Sequence, residues 1–226
     1  MTKITVDTVI ISDIHLGFKF CRADKLLDTL KQYEFKRLIL NGDIFDDLNF
    51  KRLHSEHWEV LSYFRHLSRD HEVVWIIGNH DGQAKILSRL IGVPVHDSYR
   101  WRESGRLFLA IHGHQFDRFI SRNLFISNLA GSLYYFLKRL EWGNDFLTDW
   151  IRQYNGSWLR LSDEVEAGAV RLGQRQGAKV VFCGHTHIPL ISHRGVIRYY
   201  NSGSWVEFPS NLITIKRGKV SLVNVD

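Results

Sequence analysis

Five short apolar runs constrain the fold of this chain, because each is followed by a loop whose side chains can bind a metal ion. The runs are residues 8–12, 37–40, 73–77, 106–111 and 179–183. Their Val, Ile, Leu and Phe content favours strands covered on both faces. Between the first three runs, apolar residues recur at helical spacing, first at Leu26, Leu27, Leu30 and Tyr33 and then at Val60, Phe64 and Leu67. This alternation of strands and helices predicts an α/β fold.

The loops after these runs carry carboxylate, amide and imidazole groups. In chain order the candidate ligands are Asp13, His15, Asp43, Asn79, His112, His185 and His187. The carboxyl ends of strands in an open α/β sheet converge on one crevice, so we expect these distant loops to meet there. Each loop alone has a simpler interpretation, as a turn or as a solvated pair of side chains. Five such loops in succession instead favour a metal site built from oxygen and nitrogen ligands.

Composition limits the class of protein. The chain has 226 residues, of which 44% are apolar, and this suits one buried core. Cys21 and Cys183 are far apart and form no C-x-x-C pair, so no disulfide framework is expected. The first apolar stretch reaches Asp13 before it is long enough to cross a membrane, and we expect a cytoplasmic protein. The net charge of +6 predicts attraction to polyanions, either phosphorylated substrates, nucleic acid or an anionic membrane face.

Two further regions have their own character. From about residue 116 to 177, long helical periodicity without strand signals predicts a helical cap inserted into a single domain of residues 1–226. After residue 187, short strands in hairpin-like series are expected around Gly195, Gly203 and Gly218.

Taken together, the motifs resemble the calcineurin-like metallophosphoesterase family. The matching blocks are D-x-H at 13–15, G-D-x-x-D at 42–46, G-N-H-D at 78–81, the isolated His112, and G-H-x-H at 184–187. The resemblance implies a four-layer αββα sandwich, in which two facing mixed β-sheets are flanked by helices and the metal ions lie at one rim.

The resemblance also implies a ligand set for two divalent ions. Asp13, His15, Asp43 and His187 would bind the first ion, and Asp43, Asn79, His112 and His185 would bind the second. Asp43 would bridge the two ions, and a metal-bound hydroxide would attack the phosphorus. Mixed carboxylate, imidazole and amide ligation favours Mn, although Fe, Zn, Ni or Co would also fit.

Other motif residues receive roles by the same resemblance. His80 would face the phosphate as a catalytic group or, alternatively, orient its neighbours. Asp46 and Asp81 would lie outside the ligand shell and hold imidazoles or loops. His114 would either line the site or cap the helix that follows.

Three longer runs, at 20–24, 112–117 and 201–207, are similar to the UDP-2,3-diacylglucosamine pyrophosphatase-like branch of the family. That branch cleaves a nucleotide-diphospho-lipid to lipid X and UMP in lipid A synthesis. The similarity implies substrate contacts in the cap, with Arg122, Phe125 and Phe136 as candidates, and a peripheral position on the inner membrane face. The alternative is that the cap residues pack onto the sheets. His80 departs from the branch, because Arg is expected at that position.

Two other functions remain open at this point. A cyclic-nucleotide or nucleic-acid phosphodiesterase would use the same ions and would explain the positive charge, although the chain leaves no room for a separate nucleic-acid domain beyond the cap. A non-catalytic scaffold with the same fold, as in retromer-type relatives, is opposed by the seven intact candidate ligands.

Overall fold

The computed structural model describes residues 3–117 and 146–226. The strands are β1 (Ile4–Thr5), β2 (Thr8–Ile11), β3 (Tyr33–Glu34), β4 (Arg37–Asn41), β5 (Glu72–Ile76), β6 (Val95–His96), β7 (Ser98–Glu103), β8 (Arg106–Ile111), β9 (Val180–Cys183), β10 (Leu190–Arg194), β11 (Ile197–Asn201), β12 (Ser210–Lys216) and β13 (Lys219–Val225). The helices are α1 (Ala23–Lys31), α2 (Ser55–Leu67), α3 (Ala84–Ile91) and α4 (Phe146–Gln176), with 3₁₀ turns at Phe50–Arg52 and His114–Phe116.

The strands form two large mixed sheets. The first sheet has the order β13-β12-β2-β4-β5-β6, and its strands β2, β4, β5 and β6 run parallel. The second sheet has the order β10-β11-β9-β8-β7, with β11, β9 and β8 parallel at its centre. The short strands β1 and β3 pair separately. Each of the five predicted apolar runs coincides with a strand of one of the two large sheets, to within one residue at either end.

Alternation along the strands places the two sheets face to face. In β4, Leu38 and Leu40 pack toward α1 and α2, whereas Ile39 packs between the sheets. In β8, Phe108 packs between the sheets and Leu109 packs outward. The inner layer holds Ile10, Ile39, Ile76, Ile213 and Ile215 of the first sheet against Trp101, Phe108, Phe182 and Tyr200 of the second. The predicted αββα sandwich of two facing mixed sheets is therefore confirmed.

Helix α4 forms the outer layer on the second sheet. Val165 and Ala169 pack against Leu109 and Val181, and these four side chains are buried. The C-terminal part of the segment predicted as a cap thus belongs to the sandwich itself. The remainder of that prediction falls mainly on residues 118–145, which lie outside the described residues.

Two local predictions are wrong. Tyr33 is not helical, because α1 ends at Lys31 and Tyr33 belongs to β3, which pairs with β1. Tyr33 is nevertheless buried, and this explains why it continues the apolar spacing of the helix. Gly203 is not in a hairpin, because it lies where the chain leaves β11 in the second sheet and crosses to β12 in the first. The hairpins at Gly195 and Gly218 are confirmed.

Candidate metal centre

The loops that follow β2, β4, β5, β8 and β9 meet at one rim of the sandwich. Backbone hydrogen bonds join them directly, since Asp13 N donates to the carbonyl of Gly42 at 3.0 Å and Gly184 N donates to the carbonyl of His112 at 3.0 Å. The backbone N–H of His185 donates to both carboxylate oxygens of Asp13, at 3.0 and 3.1 Å. Segments separated by up to 172 residues along the chain are thereby held within hydrogen-bonding distance.

The first group of candidate ligands consists of Asp13, His15 and His187, whose ligand atoms lie within 4.8 Å of one another. The Nε2 atoms of His15 and His187 are 3.2 Å apart, and His187 Nε2 is 3.4 Å from Asp13 Oδ1. Asp13 is fully buried and the side chain of His15 is almost so. A cation at this point would therefore be largely shielded from solvent.

The second group consists of Asp43, His112 and His185, which are all buried. His112 Nε2 lies 3.2 Å from Asp43 Oδ2, while its Nδ1 is hydrogen bonded at 2.8 Å to the carbonyl of Asn41. Asp43 Oδ2 is also 4.0 Å from His15 Nε2 of the first group. Asp43 is therefore the member of the second group that approaches the first.

The donor atoms fit divalent ions. Atoms that share one ion at about 2.0–2.2 Å are separated from each other by about 3–3.5 Å. The His15–His187, His187–Asp13 and His112–Asp43 pairs have this spacing, at 3.2, 3.4 and 3.2 Å. His112 Nε2 is buried, and its contact with Asp43 does not have hydrogen-bond geometry. The four imidazoles and two carboxylates of the two groups, with the buried His112 Nε2 not hydrogen bonded, are a ligand set for cations.

Backbone strain is concentrated at the same residues. Within the described ranges, seven residues other than glycine have positive φ, and five of them are Asp13, His15, Asp43, His185 and His187, with φ between 51° and 69°. A left-handed conformation costs an L-residue roughly 1 kcal/mol or more and persists only where the surroundings enforce it. The fold therefore stores strain where the candidate ligands converge.

Asp81 ties two of the loops together. Its carboxylate is fully buried and accepts five hydrogen bonds from N–H groups. The donors are the backbone N–H groups of Asp43, Ile44, Phe45 and Gly78 and the indole of Trp75, at 2.7–3.1 Å. The predicted supporting position of Asp81 outside the ligand groups thus corresponds to a contact that fixes the backbone of Asp43.

Asp46 and His80 lie beside the first group and form a third group of candidate ligands with His15, because their ligand atoms lie within 4.8 Å of one another. Asp46 Oδ1 is 3.5 Å from His15 Nδ1, and its other oxygen pairs with Arg52 at 2.7 Å. His80 Nδ1 donates a hydrogen bond of 2.8 Å to the carbonyl of Asp46. The backbone N–H of His80 donates to Asp43 Oδ1 at 2.8 Å. The half-buried His80 ring therefore has its Nε2 left for other partners.

One buried carboxylate at the site was not predicted. Asp117 Oδ2 lies 3.0 Å from His185 Nε2, and both side chains are buried. The sequence contained a signal, because Asp117 follows the candidate ligand His112 by five residues within the run at 112–117. That signal does not identify its partner, which is 68 residues away.

The remaining predicted residues are less closely grouped. Asn79 is in the loop after β5 with an exposed side chain, and its role as a ligand stays a prediction. His114 begins the 3₁₀ turn, with its ring 5.5 Å from that of His112 and 6.4 Å from that of His185. Burial and the neighbouring imidazoles lower the pKa of His114 to about 4, so its ring is neutral near pH 7. Arg122, Phe125 and Phe136 lie outside the described residues.

Gly78 packs against Asp43 so closely that there is no room for a side chain at position 78. A Cβ at this position would overlap with Oδ1 and N of Asp43. We therefore expect Gly78→Ala to displace the Asp43 carboxylate and to weaken divalent-ion binding about tenfold or more, a size typical of displaced outer contacts. Elemental analysis and calorimetric titration with Mn²⁺ measure this.

Gly173→Ala is the matched control, since its Cβ would crowd Val181 in the packing layer of α4 instead. It should cost stability but leave ion affinity at the wild-type value. Equal ion affinity in the Gly78→Ala and wild-type proteins would contradict the predicted contact.

Protons and metal ions compete for His112 and His187. Burial alone lowers the pKa of His112, but the carboxylates of Asp43 and Asp13 outweigh it and raise the pKa to about 9. Burial likewise opposes the charged form of His187, and contacts with Asp13 and Glu207 raise its pKa to about 10. Because a ligating imidazole must be neutral, ion binding displaces these protons. Ion affinity is therefore expected to rise between pH 6.5 and 8.5, by about tenfold per pH unit for each displaced proton.

Calorimetric titration in two buffers of different ionisation enthalpy would detect the released protons directly. The ion-free protein should show the opposite trend in stability. A raised histidine pKa contributes stability that is complete below about pH 6.5 and is lost as the pH rises through about 9 and 10. Ion binding without proton release at pH 7 would contradict this assignment.

The sandwich and its rim of carboxylates and imidazoles define a hydrolase of phosphoric esters. The family model described as calcineurin-like phosphoesterase matches residues 7–189, and the chain belongs to this family. The family is metal-dependent, in keeping with the three groups of candidate ligands that the described residues form at the rim. A search among curated proteins found no match.

Several solved structures share the fold at low identity. A phosphodiesterase from an archaeon is 13% identical, with 96% of this chain and 98% of that chain covered and a TM-score of 0.55. The phosphoesterase Yfce from E. coli is 14% identical, covering 97% and 99% with a TM-score of 0.53. Vacuolar Protein Sorting 29 from Cryptosporidium parvum is 13% identical, covering 97% and 96% with a TM-score of 0.51. These likenesses show the fold alone.

Among the described residues, none of the helices has the length and apolar character that crossing a bilayer requires.

Proposed function

We propose that the protein hydrolyses a phosphodiester or pyrophosphate bond with two divalent metal ions. Asp13, His15 and His187 hold the first ion, and His112, His185 and Asn79 hold the second. Asp43 bridges the two ions. The observation that carries this proposal is the position of Asp43 Oδ2, 3.2 Å from His112 Nε2 and 4.0 Å from His15 Nε2.

When bound, such a pair of ions polarises phosphate oxygens, lowers the pKa of water and offsets the charge of an in-line displacement. The residues around the ions supply orientation. Asp46 holds the ring of His15, the carbonyl of Asn41 holds the ring of His112, and Asp81 holds the backbone of Asp43. His80 has one ring nitrogen fixed by the carbonyl of Asp46, so its other nitrogen serves for proton exchange with the leaving oxygen.

For the substrate we propose a nucleotide-diphospho-lipid of the UDP-2,3-diacylglucosamine type. Two runs that resemble enzymes of this type contact the candidate centre. In the run at 201–207, Trp205 N donates to the carbonyl of Asp13 at 2.9 Å and Asn201 Nδ2 donates to the carbonyl of Gly184 at 2.7 Å. The run at 112–117 contributes His112 and Asp117. The net charge of +6 favours an anionic substrate and an anionic membrane face. Mn is the proposed metal.

The test is a substrate panel assayed with added Mn²⁺. We expect release of UMP from UDP-2,3-diacylglucosamine by the wild-type protein and none by Asp43→Asn. Cleavage of aryl phosphodiesters without UMP release would discard the lipid substrate but retain the hydrolase. Cleavage of cyclic nucleotides or single-stranded DNA as the fastest reaction would instead favour those substrates.

Metal content separates an enzyme from a scaffold with the same fold. Elemental analysis of protein dialysed against Mn²⁺ should find about two ions per chain, because the proposed ligands form two sets that share Asp43. A content near zero, together with no turnover across the panel, would leave the scaffold as the better interpretation.

A further inference from the structure

The His185–Asp117 pair has a geometry that sets the orientation of a candidate ligand. His185 Nε2 is 3.0 Å from Asp117 Oδ2, and the two side chains are 6% and 2% exposed. Since a carboxylate only accepts hydrogen bonds, the ring donates its Nε2–H to Asp117. The proton on Nε2 leaves Nδ1 with a lone pair, so the pair selects one tautomer of the ring.

We propose that Asp117 is a positioning residue that turns Nδ1 of His185 toward Asp43 and His112. The inference rests on the proposed function, because it concerns the second of the two ions. Imidazoles that bind metal ions commonly donate their other N–H to a carboxylate, which fixes the ring and makes the ligand nitrogen more basic. His185, Asp43 and His112 have ligand atoms within 4.8 Å of one another. The orientation of the His185 ring therefore decides whether its nitrogen can bind the same ion as Asp43 and His112.

The position of Asp117 is itself set by packing. Its backbone N–H donates to the carbonyl of His114 at 3.1 Å, at the end of the 3₁₀ turn His114–Phe116. Phe116 lies against Gly168 of α4 so closely that a Cβ on this glycine would overlap with the ring. Packing against helix α4 therefore fixes the position of the 3₁₀ turn and of Asp117, which in turn fixes the ring of His185.

His185 is restrained at its other end as well. Its backbone N–H donates to both oxygens of Asp13, which belongs to the first group of ligands. With its backbone held by Asp13 and its ring held by Asp117, His185 needs no rearrangement to receive an ion. Loss of the Asp117 carboxylate releases the ring but leaves the His185 backbone bound to Asp13, so the first group should keep its geometry.

The experiment compares Asp117→Asn with wild type and with Asp163→Asn, an exposed carboxylate on α4. Calorimetric titration of the metal-free proteins with Mn²⁺ resolves the two binding events. We expect one event in Asp117→Asn to weaken about 10-fold to 100-fold, with the other event and the Tm of the ion-free protein close to wild type. At two Mn²⁺ per chain and a concentration at which wild type holds both ions, the electron paramagnetic resonance spectrum should show a coupled pair in wild type and an isolated ion in Asp117→Asn.

A second variant shows whether Asp117 acts through His185. In a His185→Ala background, Asp117→Asn should weaken ion binding no further, because the ring that it positions is gone. Two unchanged binding events in folded Asp117→Asn protein would overturn the inference and leave the proposed function intact. Equal weakening of both events together with a lowered Tm would also overturn it, in favour of a purely structural pair. If wild-type protein bound no ion, the proposed function would fail and this inference with it.

Discussion

Asp43→Asn is expected to abolish turnover and to remove both ion-binding positions. Burial by itself raises the pKa of the Asp43 carboxyl, but the imidazoles of His112, His80 and His15 outweigh it and hold the pKa well below its usual range. Asp43 is thus a buried anion that faces both groups of ligands. Asparagine keeps the shape and the acceptor for the N–H of His80, but it removes the charge. Because metal ions contribute several kcal/mol to catalysis, kcat/KM should fall about 10³-fold or more.

Substitution of a residue that binds only one of the two ions should have a smaller effect than Asp43→Asn. His15→Ala removes one side chain of the first group, so it should leave measurable ion binding at the second. Asp28→Asn, an exposed carboxylate on α1, should change neither activity nor metal content. Asp43→Asn protein with full activity, or with one ion bound at wild-type affinity, would refute a bridge at this position.

Asp81→Asn is expected to cause a large loss of stability. The carboxylate accepts five hydrogen bonds with no exposure to solvent. An amide has one oxygen to accept them, and its NH₂ group would face N–H donors that it cannot satisfy. Each unsatisfied buried donor costs about 1–3 kcal/mol, so the free energy of unfolding should fall by about 3 kcal/mol or more. For a chain of this size the Tm would fall by about 6–12 °C.

Differential scanning calorimetry of ion-free protein measures this loss, and Asp70→Asn is its control. Asp70 is exposed, so its substitution should change stability by less than about 0.5 kcal/mol. Ion affinity should fall in Asp81→Asn as well, because four of the five donors belong to Gly78 and to the backbone from Asp43 to Phe45. A Tm of Asp81→Asn equal to that of wild type would show that the five N–H donors tolerate a neutral acceptor.

Much of the fold was predictable because its signals are local. Apolar runs identified the central strands, and helical spacing identified α1 and α2. The composition of the strands indicated that both of their faces are buried. Tyr33 shows where local spacing misleads, because a buried residue just beyond a helix continues its periodic pattern. Gly203 shows a second limit, because a glycine between two strands does not reveal whether they pair or belong to different sheets.

The sequence by itself determined the chemistry of the candidate centre. The order of the motifs and their place after strands specify which residues can meet, since parallel strands point their carboxyl ends to one rim. The composition of the loops restricts the ligands to carboxylates, imidazoles and an amide, which suit divalent ions.

Only the tertiary structure decided how these groups are held. The five hydrogen bonds to Asp81 bring separate loops together, and the Asp117–His185 pair joins residues 68 positions apart. The left-handed backbone of Asp13, Asp43 and His187 likewise depends on neighbours that are remote in sequence. Periodicity and spacing in the sequence indicate which face of a helix or strand is buried. Hydrogen-bond partners and strained backbone conformations are instead set by packing between distant segments. That packing exists only once the two sheets face each other.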